Sequence, residues 1–537
     1  MLSNKNEGLH TPFIIDDHHL YFQRYYNYES ICIDKITALI NQEANTLSSR
    51  KEQLEQIQHL ITSLQADYAI QGLSDAERID WQLIAVLQAL LNNFTIITGG
   101  PGTGKTTTLA KLLILLFELY PDTAIALAAP TGKAAMRMHD ALKNSTLPFT
   151  TTTKQKIDHL KPSTIHSLLG YKKDSVNFKY HAQNPLPYDW VVVDEASMID
   201  LPLFAKLLDA LAPHTRIILL GDKDQLASVE AGSLLGDLCA CLPQLNLFAK
   251  DQIHWFNQFI TDANRQIPGN YVSESPTLLR GHILELQYSH RFNSAGAIGA
   301  ISKAVITSAV NELQHCLSHP DNKIAIYPQF QKAAIEAIAV AYSFYIQEQD
   351  IAKAIQLFNQ QRILVAVREG IQGLYAVNKI VEDQLKKLNL IKPDSEFYEN
   401  KPIMITRNRY DLGLYNGDIG IVRADTTGVL KVWFDTGDGN LKSVLPAYLS
   451  NYETVFAMTI HKSQGSEFNN VMIVLPEAAA IPLLTRELLY TAITRAKSHL
   501  TIVGAETTIL QAAQSSVHRI SGIQRRMESF KIEGAGV

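Results

Sequence analysis

The chain is poor in the features that mark secreted, zinc-binding and membrane proteins. It has four cysteines in 537 residues, too few for a disulfide framework and without the paired CxxC spacing of a zinc site. No stretch approaches the ~20 uninterrupted apolar residues that a membrane span needs, and the N-terminus lacks the basic and then apolar pattern of a secretion signal. We therefore expect a cytoplasmic protein that crosses no membrane.

A strong excess of one charge is also absent. Lys and Arg number 48 and Asp and Glu 53, which gives a formal net charge of −5 at pH 7. This balance does not indicate a nucleic-acid binder, but a narrow local groove can hold a phosphate backbone, so net charge excludes little. With 46% hydrophobic residues, the length suffices for about three or four domains.

Two sets of short apolar runs predict two parallel sheets. The first set is FTIIT (94–98), AIALAAP (124–130), WVVVDE (190–195) and RIILLGD (216–222), and the second is ILVAV (363–367), VFAMTI (455–460), VMIVLP (471–476) and LTIVG (500–504). Runs without polar alternation are typical of strands buried on both faces, and the helical patterns between them favour doubly wound α/β units. The predicted fold class is α/β, with two parallel-sheet units in tandem.

Two further segments complete the predicted organisation. Residues 401–444 alternate around Asn416 and Gly417, which are expected to take the positive φ angles of a tight turn, so a small antiparallel β-barrel is predicted inside the second unit. Residues 1–72 carry a helical stripe and are expected to form a bundle with its own core, or a docking module for another subunit. The predicted domains are 1–72, 73–285, 286–395 together with 452–537, and the insert 396–451.

A phosphate-binding loop follows the first predicted strand. The segment TIITGGPGTGKTTTLAKLL (95–113) contains GxxxxGKT between a strand and a helix. Glycines let backbone N–H groups approach phosphates, the helix N-terminus favours an anion, Lys105 reaches the β and γ oxygens, and Thr106 ligates Mg²⁺. The loop therefore predicts ATP and Mg²⁺ as ligands, with the nucleotide held by Gly99, Gly100, Pro101, Gly102, Thr103, Gly104, Lys105, Thr106 and Thr107.

Acidic and polar residues end two neighbouring strands. Asp194 and Glu195 follow the WVVV run, and ligands of parallel sheets gather beyond the carboxyl ends of the strands. Asp194 is predicted to hold Mg²⁺, directly or through water, and Glu195 to take a proton from the attacking water; a pair that only caps the next helix is the structural alternative. Gln225, in GDKDQL, is placed to contact the γ-phosphate and this water.

Two arginines are candidates for contact with the γ-phosphate. Arg291 lies in QYSHRF (287–292) and Arg495 in LLYTAITRAKSHL (488–500). An arginine supplied across a cleft accelerates phosphoryl transfer by about 10³- to 10⁵-fold. With the loop in the first unit and both arginines in the second, we expect ATP to hold the units together and hydrolysis to release them, as a motor requires.

Five segments carry a resemblance to a known family. In order they are TIHSLLG (164–170), VVVDEAS (191–197), LLGDKDQLASVEAGSLL (219–235), AMTIHKSQGSEF (457–468) and LLYTAITRAK (488–497). They resemble superfamily 1 helicases and, more narrowly, the RecD family, the alpha subunits of exodeoxyribonuclease V. The resemblance implies two RecA-like domains with an SH3-like insert. It also implies 5′ to 3′ translocation on single-stranded DNA, with RecB-like and RecC-like partners, from duplex ends in double-strand break repair and recombination.

The same resemblance implies roles for further residues. Gln82, in DWQ (80–82), would pair with the adenine edge. The nucleotide side of the second unit would be lined by Gln464, Gly465 and Glu467. Residues that would contact the DNA strand are Pro130, Thr131, Gly132, Lys133, Thr164 and His166 in the first unit and Thr459, His461 and Ser463 in the second.

Three alternatives stay open. One is a stand-alone superfamily 1 helicase of the same polarity. Another is a non-motor ATP switch such as a clamp loader, which AMTIHKSQGSEF and LLYTAITRAK in one chain disfavour. The third is that this chain cuts DNA itself, because PDSEFYENK (393–401) is similar to a metal-nuclease pattern, with Asp394, Glu399 and Lys401 as its residues. Its spacing is short, however, and the resemblance assigns DNA cutting to another subunit.

Overall fold

Two compact units make up the chain. The computed structural model describes residues 2–4, 11–172, 175, 177–227, 234–274, 277–291, 296–436, 440–477, 482–516 and 521–528. The first unit comprises residues 1–223, 227–291 and 519–537, and the second comprises residues 224–226 and 292–518.

The first unit contains a small mixed sheet and a large parallel sheet. The small sheet has three strands in sequence order, β1 (Leu2–Asn4), β2 (Phe13–Asp16) and β3 (His19–Phe22). The large sheet has six, β4 (Phe94–Gly99), β5 (Ile125–Ala129), β6 (Ser163–Thr164), β7 (Trp190–Val193), β8 (Arg216–Gly221) and β9 (Ile283–Leu286). Their spatial order is β6–β5–β7–β8–β4–β9, and every pair is parallel, as predicted.

Twelve helices accompany these strands in the described part of the first unit before residue 291. They are α1 (Gln23–Asn41), α2 (Leu47–Gln56), α3 (Gln58–Ser63), α4 (Asp75–Arg78), α5 (Trp81–Leu91), α6 (Lys105–Leu119), α7 (Gly132–Lys143), α8 (Thr151–His159), α9 (Ile165–Leu168), α10 (Leu201–Asp209), α11 (Leu234–Ala240) and α12 (Lys250–Asn257).

Successive residues of the large sheet face two separate cores. Ile97 of β4 packs in a core with α5 and α6, whereas its neighbour Ile96 packs in another with α1 and α10. On β7, Val192 and Val191 divide in the same way. Because helices cover both faces, these strands need apolar residues at every position, and this is why uninterrupted apolar runs predicted them correctly.

The N-terminal helices do not form the separate bundle predicted for residues 1–72. Ile33 and Leu39 of α1 are buried in one core of the large sheet, while Leu54 of α2 and Ile61 of α3 are buried in the other. An amphipathic stripe shows which face of a helix is buried but not which element buries it, so the sequence pattern left this partner open.

The second unit is built on a five-stranded parallel sheet. In chain order its elements begin with α13 (Ala297–Ile306), α14 (Val310–Ser318), β10 (Ile324–Tyr327), α15 (Lys332–Ala341), α16 (Ser343–Gln347), α17 (Ile351–Phe358), β11 (Gln361–Val365) and α18 (Leu374–Lys387). A second sheet follows, made of β12 (Pro402–Ile405), β13 (Ile419–Ala424), β14 (Leu430–Asp435), β15 (Leu441–Val444) and β16 (Tyr452–Thr454). The chain then returns with β17 (Ala457–Thr459), β18 (Phe468–Val474), α19 (Arg486–Ile493), β19 (Ala496–Val503) and α20 (Glu506–Gln514). The parallel sheet has the order β10–β19–β18–β11–β17.

The insert between β11 and β17 is antiparallel, as predicted. Its order is β15–β14–β13–β12–β16, and Ile403, Val422 and Phe434 pack in a core of its own. Gly417 takes a positive φ of 96°, but Asn416 does not, so only one residue of the predicted turn pair is left-handed. The SH3-like character of the insert stays a prediction.

The last described helix, α21 (Ile523–Glu528), returns to the first unit, whereas the predicted range 452–537 placed it in the second. Ile523 and Met527 are buried in the core that contains α1. On α1, Glu29 accepts a hydrogen bond from the backbone N–H of Gly522 (2.9 Å) and pairs with Arg526 at 3.2 Å. Six residues are too few for periodicity to indicate such a partner. In the part of the chain that the structure describes, no helix is long and apolar enough to cross a bilayer.

Candidate active site

The phosphate-binding loop runs from the end of β4 to the start of α6. Gly102 (φ 78°) and Gly104 (φ 86°) take left-handed backbone, which other residues adopt only with strain. Lys105 Nζ donates to the carbonyl oxygens of Gly99 (2.6 Å) and Gly100 (3.3 Å), which holds the ammonium over the loop. The first N–H groups of α6 are free of helical partners and point the same way, so the loop is suited to an anion.

Gln82, on α5, lies directly against this loop. Its Nε2 donates to the carbonyl oxygen of Thr103 (3.1 Å), and a Cβ at Gly104 would collide with the same amide. The loop therefore needs glycine at position 104 for close approach as well as for its φ angle. The role in adenine recognition that the resemblance implies for Gln82 stays a prediction.

Residues 288–291 cover the loop within the same unit. The backbone N–H of His290 donates to the Gly102 carbonyl (2.9 Å), and Ser289 Oγ donates to the Pro101 carbonyl (3.0 Å). A Cβ at Gly102 would collide with the Cβ of Arg291. Arg291 thus belongs to the first unit, with the loop, and not to the second as predicted, because its neighbours bond to the loop backbone.

Two aromatic side chains of this covering segment, Tyr288 and His290, pack against Tyr68. Tyr288 stacks on Tyr68 with ring centroids 4.0 Å apart and 12° between the ring planes. The His290 ring packs edge-on against both, at 4.7 Å and 5.3 Å. Sequence reasoning singled out Arg291 in QYSHRF but not the rings before it, whose partner Tyr68 lies more than 200 residues away.

Asp194 and Glu195 follow β7, as predicted. Burial, and then the Glu195 carboxylate, raises the pKa of Asp194 to about 6, although Lys105 and Arg137 oppose this rise. Because Lys105 lowers this pKa, its ammonium lies close enough to the Asp194 carboxylate to interact with it electrostatically. Arg137 is a second cation at this carboxylate, and it comes from α7, where no sequence signal distinguished it.

Glu195 has an unusual backbone. Its φ of 52° is left-handed, and its N–H donates to Asp194 Oδ1 (2.8 Å). A non-glycine residue in this region costs about 1 kcal/mol or more, and such residues are concentrated at functional sites. The strain is consistent with the predicted role of Glu195 as the proton acceptor.

Thr106 and Asp194 are suited to Mg²⁺. A hydroxyl at the start of α6 and a carboxylate after β7 are oxygen donors, and Mg²⁺ is usually held by one or two protein oxygens together with phosphate and water. The raised pKa of Asp194 indicates that the surrounding protein compensates its charge incompletely, which a divalent cation would correct. Among the described residues, no group of three or more His, Cys, Asp and Glu side chains has the arrangement of a self-sufficient metal site.

The GDKDQL segment divides between the two units. Lys223 ends the part in the first unit, and residues 224–226 belong to the second. There the N–H of Leu226 donates to Thr491 Oγ1 (2.8 Å), and Gln464 Nε2 donates to the Leu226 carbonyl. Gln225 is buried, with 6% of its surface exposed.

Arg495, in the second unit, is fixed by backbone carbonyls. Its Nε donates to Thr491 (3.1 Å) and its Nη1 to Ser466 (3.1 Å), and only 3% of its surface is exposed. On either side of Ser466, Gly465 takes a φ of 65° and Glu467 pairs with Lys497 at 3.4 Å. A guanidinium held in this way has one orientation, as a phosphate-sensing group needs, and this role stays a prediction.

The predicted strand-contacting residues of the first unit follow two adjacent strands. Thr131 Oγ1 accepts from the N–H of Ala134 (3.2 Å) where α7 begins, and Thr164 Oγ1 accepts from the N–H of Ser167 (3.1 Å) where α9 begins. In the sheet, Ala129 lies opposite Thr164, so both segments leave the same edge. The other predicted contacts, Pro130, Gly132, Lys133 and His166, lie in these two segments.

The three predicted strand contacts of the second unit differ in exposure. Ser463 is fully buried and its Oγ donates to the Ile460 carbonyl (2.7 Å), so in this structure it supports the turn. Thr459 is also buried, and its Oγ1 accepts from the N–H of Lys462 (3.4 Å). His461 is half-buried and is the best placed of the three for contact with a strand.

The nuclease pattern is not assembled. Asp394 and Glu399 are exposed, whereas Lys401 is buried and donates from Nζ to the Glu396 carbonyl (2.6 Å). The same ammonium lies 5.4 Å from the ring centroid of Tyr398. Because a catalytic ammonium must reach the substrate, this arrangement does not favour a nuclease at 393–401.

Comparison with known proteins gives matches in both units. Residues 82–231 match the AAA domain family, and residues 454–503 match the UvrD-like helicase C-terminal domain. The chain is 37% identical over 488 residues to the RecBCD enzyme subunit RecD of Haemophilus influenzae, covering 84% of this chain and 73% of that protein. It is 33% identical to the subunit of the same name from Mycobacterium tuberculosis, covering 96% of this chain and 81% of that protein.

More distant matches include a helicase and a solved structure. The ATP-dependent RecD2 DNA helicase of Deinococcus radiodurans is 28% identical, over 85% of this chain and 53% of that protein. A crystal structure of Pif1 helicase from Bacteroides, in complex with ADP-AlF3 and single-stranded DNA, is 17% identical, with 78% and 90% of the two chains covered and a TM-score of 0.40. The family resemblance carried by the five sequence motifs agrees with the two RecD subunits, which match most of the length of both chains. The protein belongs to the RecD family.

Proposed function

We propose that this protein is an ATP-dependent 5′ to 3′ translocase on single-stranded DNA and the RecD-type subunit of a RecBCD-type helicase-nuclease, acting in double-strand break repair and homologous recombination. One observation carries the proposal. In a chain of the RecD family, Lys105, the pair Asp194–Glu195 and Arg291 come from three distant sequence segments and gather around a single phosphate-binding loop.

The side chains of the first unit suit ATP hydrolysis. Lys105 would neutralise the β and γ oxygens, and Arg291, whose Cβ lies against Gly102, would add a second cation for the charge that develops during phosphoryl transfer. Glu195 would accept the proton of the attacking water. Thr106 and Asp194 would hold Mg²⁺, which when bound compensates phosphate charge.

The partners and the direction of movement follow from the family. The relatives carry the name RecBCD enzyme subunit RecD, so we assign RecB-like and RecC-like partners and duplex DNA ends to this chain as well. The 5′ to 3′ polarity and a cytoplasmic location are carried over with the same assignment. DNA cutting by the complex is assigned to another subunit, in keeping with the buried Lys401.

Replacing Lys105 tests the nucleotide site. We expect Lys105→Gln to keep the fold, because the hydrogen bonds of the Lys105 ammonium go to loop carbonyls, and to lower DNA-stimulated ATP hydrolysis at least about 100-fold, because the phosphate charge is no longer neutralised. The measurement is phosphate release with and without single-stranded DNA, with circular dichroism as the folding check. Lys143→Gln, which removes an exposed charge at the end of α7, is the matched control. Normal hydrolysis by Lys105→Gln would place the reaction elsewhere.

A further inference from the structure

Two loops of the second unit leave one edge of its parallel sheet together. β11 pairs with β17 in parallel, with Val365 opposite Thr459. The N–H of Ile460 also donates to the Val365 carbonyl (3.0 Å). Residues 366–373 after β11 and residues 460–463 after β17 therefore lie side by side at the carboxyl ends of their strands.

Glu453, on β16, joins these two loops. Arg368 Nη2 lies 2.6 Å from its Oε1, and Lys462 Nζ lies 3.1 Å from its Oε2. Burial raises the pKa of Glu453, but the hydrogen bonds from Arg368 and Lys462 outweigh it and lower the pKa below its usual value. The carboxylate is therefore ionised at neutral pH, and it holds the Arg368 guanidinium in one position.

Tyr375, the second residue of α18, is held by the same arginine. Its hydroxyl accepts a hydrogen bond from Arg368 Nη2 (2.8 Å), and the guanidinium carbon lies 5.4 Å from the ring centroid. The loop before it is anchored by Gln372, whose Oε1 accepts from the N–H of Glu477 (2.8 Å). Even so, 52% of the surface of Tyr375 is exposed.

A single exposed aromatic residue is common on protein surfaces and indicates nothing alone. Tyr375 differs because its orientation is fixed by Arg368, which Glu453 fixes in turn, and because it lies at the sheet edge that carries His461. A fixed ring loses little freedom when a flat apolar group stacks on it. The local charge is modest, since two cations surround one carboxylate, so attraction to phosphate would not dominate.

We propose that Tyr375 is a base-stacking residue for single-stranded DNA. A nucleobase of the strand held at His461 stacks on the exposed face of its ring, and any base serves, because every base has a π face. The inference rests on the proposed function and adds to it a residue that grips bases, beside groups that contact the backbone.

The experiment compares two labelled oligonucleotides, a thymidine strand and an abasic strand of the same length, by fluorescence anisotropy with the full chain. Stacking predicts that Tyr375→Ala weakens binding of the thymidine strand about five- to fifty-fold and leaves the abasic strand unchanged. Tyr375→Phe keeps the ring but loses the hydroxyl that Arg368 orients, so its affinity for the thymidine strand should lie between those of the wild type and Tyr375→Ala, with the abasic strand unchanged. Phe344→Ala, which removes an aromatic residue that is 66% exposed on α16, is the control and should change neither affinity.

Two results would overturn the inference. If Tyr375→Ala weakens both strands equally, the ring only orders the loop through Arg368. If it weakens neither, no base stacks there. A Tyr375→Trp variant guards against misfolding of the alanine variant, since an aromatic ring at this position must bind the thymidine strand more tightly than Tyr375→Ala does. Failure of the wild type itself to bind either strand would contradict the proposed function instead.

Discussion

Glycine is needed at position 102 for two separable reasons. Its φ of 78° is left-handed, and a Cβ there would collide with the Cβ of Arg291. Gly72 provides a comparison. It has the same φ of 78°, but no neighbouring atom lies within 4 Å of the position that a Cβ would take there. The backbone strain is thus equal at the two glycines, and only position 102 adds the collision.

We expect Gly72→Ala to lower the free energy of unfolding by about 1 kcal/mol and Gly102→Ala by about 1 to 3 kcal/mol more, because residues 288–291 must move away from the loop. Urea denaturation gives both values. Only Gly102→Ala should also weaken binding of a fluorescent ATP analogue. Equal effects of the two substitutions on stability and on nucleotide binding would mean that the covering segment does not restrain the loop.

At this scale, contiguous motifs were predictable and contacts between distant segments were not. Lys105 and Thr106 could be assigned from the sequence because GxxxxGKT fixes their positions relative to one loop. Arg137 could not, because its approach to Asp194 depends on how α7 packs on β5, the strand beside β7. The φ of Glu195 was equally hidden, since it arises from the turn after β7 and not from the residue type.

Among the elements, α21 stabilises the first unit through two unequal arginines. Arg526 is 9% exposed, pairs with Glu29, which is 3% exposed, and lies 4.1 Å from the ring centroid of Tyr26. The adjacent Arg525 is partly exposed and pairs with the buried Asp16 at 3.3 Å and with the exposed Asp17 at 3.2 Å. The two residues therefore compare a buried arginine with a partly exposed one on the same helix.

Arg526→Ala should lower the free energy of unfolding by about 3 to 5 kcal/mol, because it leaves the Glu29 carboxylate buried without its cation. Arg525→Ala should cost less, about 1 kcal/mol, since its guanidinium is partly exposed and water screens its pair with Asp17. Chemical denaturation monitored by circular dichroism measures both. Adding Glu29→Gln to Arg526→Ala should restore part of the loss, and a lack of restoration would mean that packing on Tyr26 explains the effect.

The elements themselves were largely predictable, and their partners were not. All eight apolar runs contain strands of the two parallel sheets, because burial on both faces leaves a clear pattern. The packing of α1 against α10 has no such signal, and neither has the return of α21 to α1. Helix patterns determine a buried face, whereas the choice of neighbour depends on the whole fold.

For the whole molecule, the proposed function predicts that ATP hydrolysis produces directed movement along a strand. A motor that travels 5′ to 3′ pushes against an obstacle at the 3′ end of a strand, whereas a non-motor switch displaces neither end. With ATP present, we expect the full chain in its complex to release streptavidin from a 3′-biotinylated oligonucleotide faster than from a 5′-biotinylated one. Scintillation counting or gel shift of the released strand measures this difference.

The control for this assay is the Lys105→Gln chain, which should release neither block. Release only from the 5′ end would reverse the polarity, and release from neither end by the wild type would favour a switch.

Purification of a tagged chain from its own cells tests the remaining alternative, a stand-alone helicase. Two large subunits retained after a salt wash would support a RecBCD-type complex, and their absence would support a stand-alone helicase.

The return of α21 has a consequence for synthesis on the ribosome. Residues 224–226 and 292–518 form a guest unit between segments of a host, and Ile523 and Met527 of the host core follow the guest in the chain. The host therefore cannot complete its interior until the guest has been translated, even though its nucleotide loop emerges much earlier. During that interval Glu29 has no buried cation beside it and part of α1 faces solvent, so the nascent host is the stage at which chaperones would be needed most.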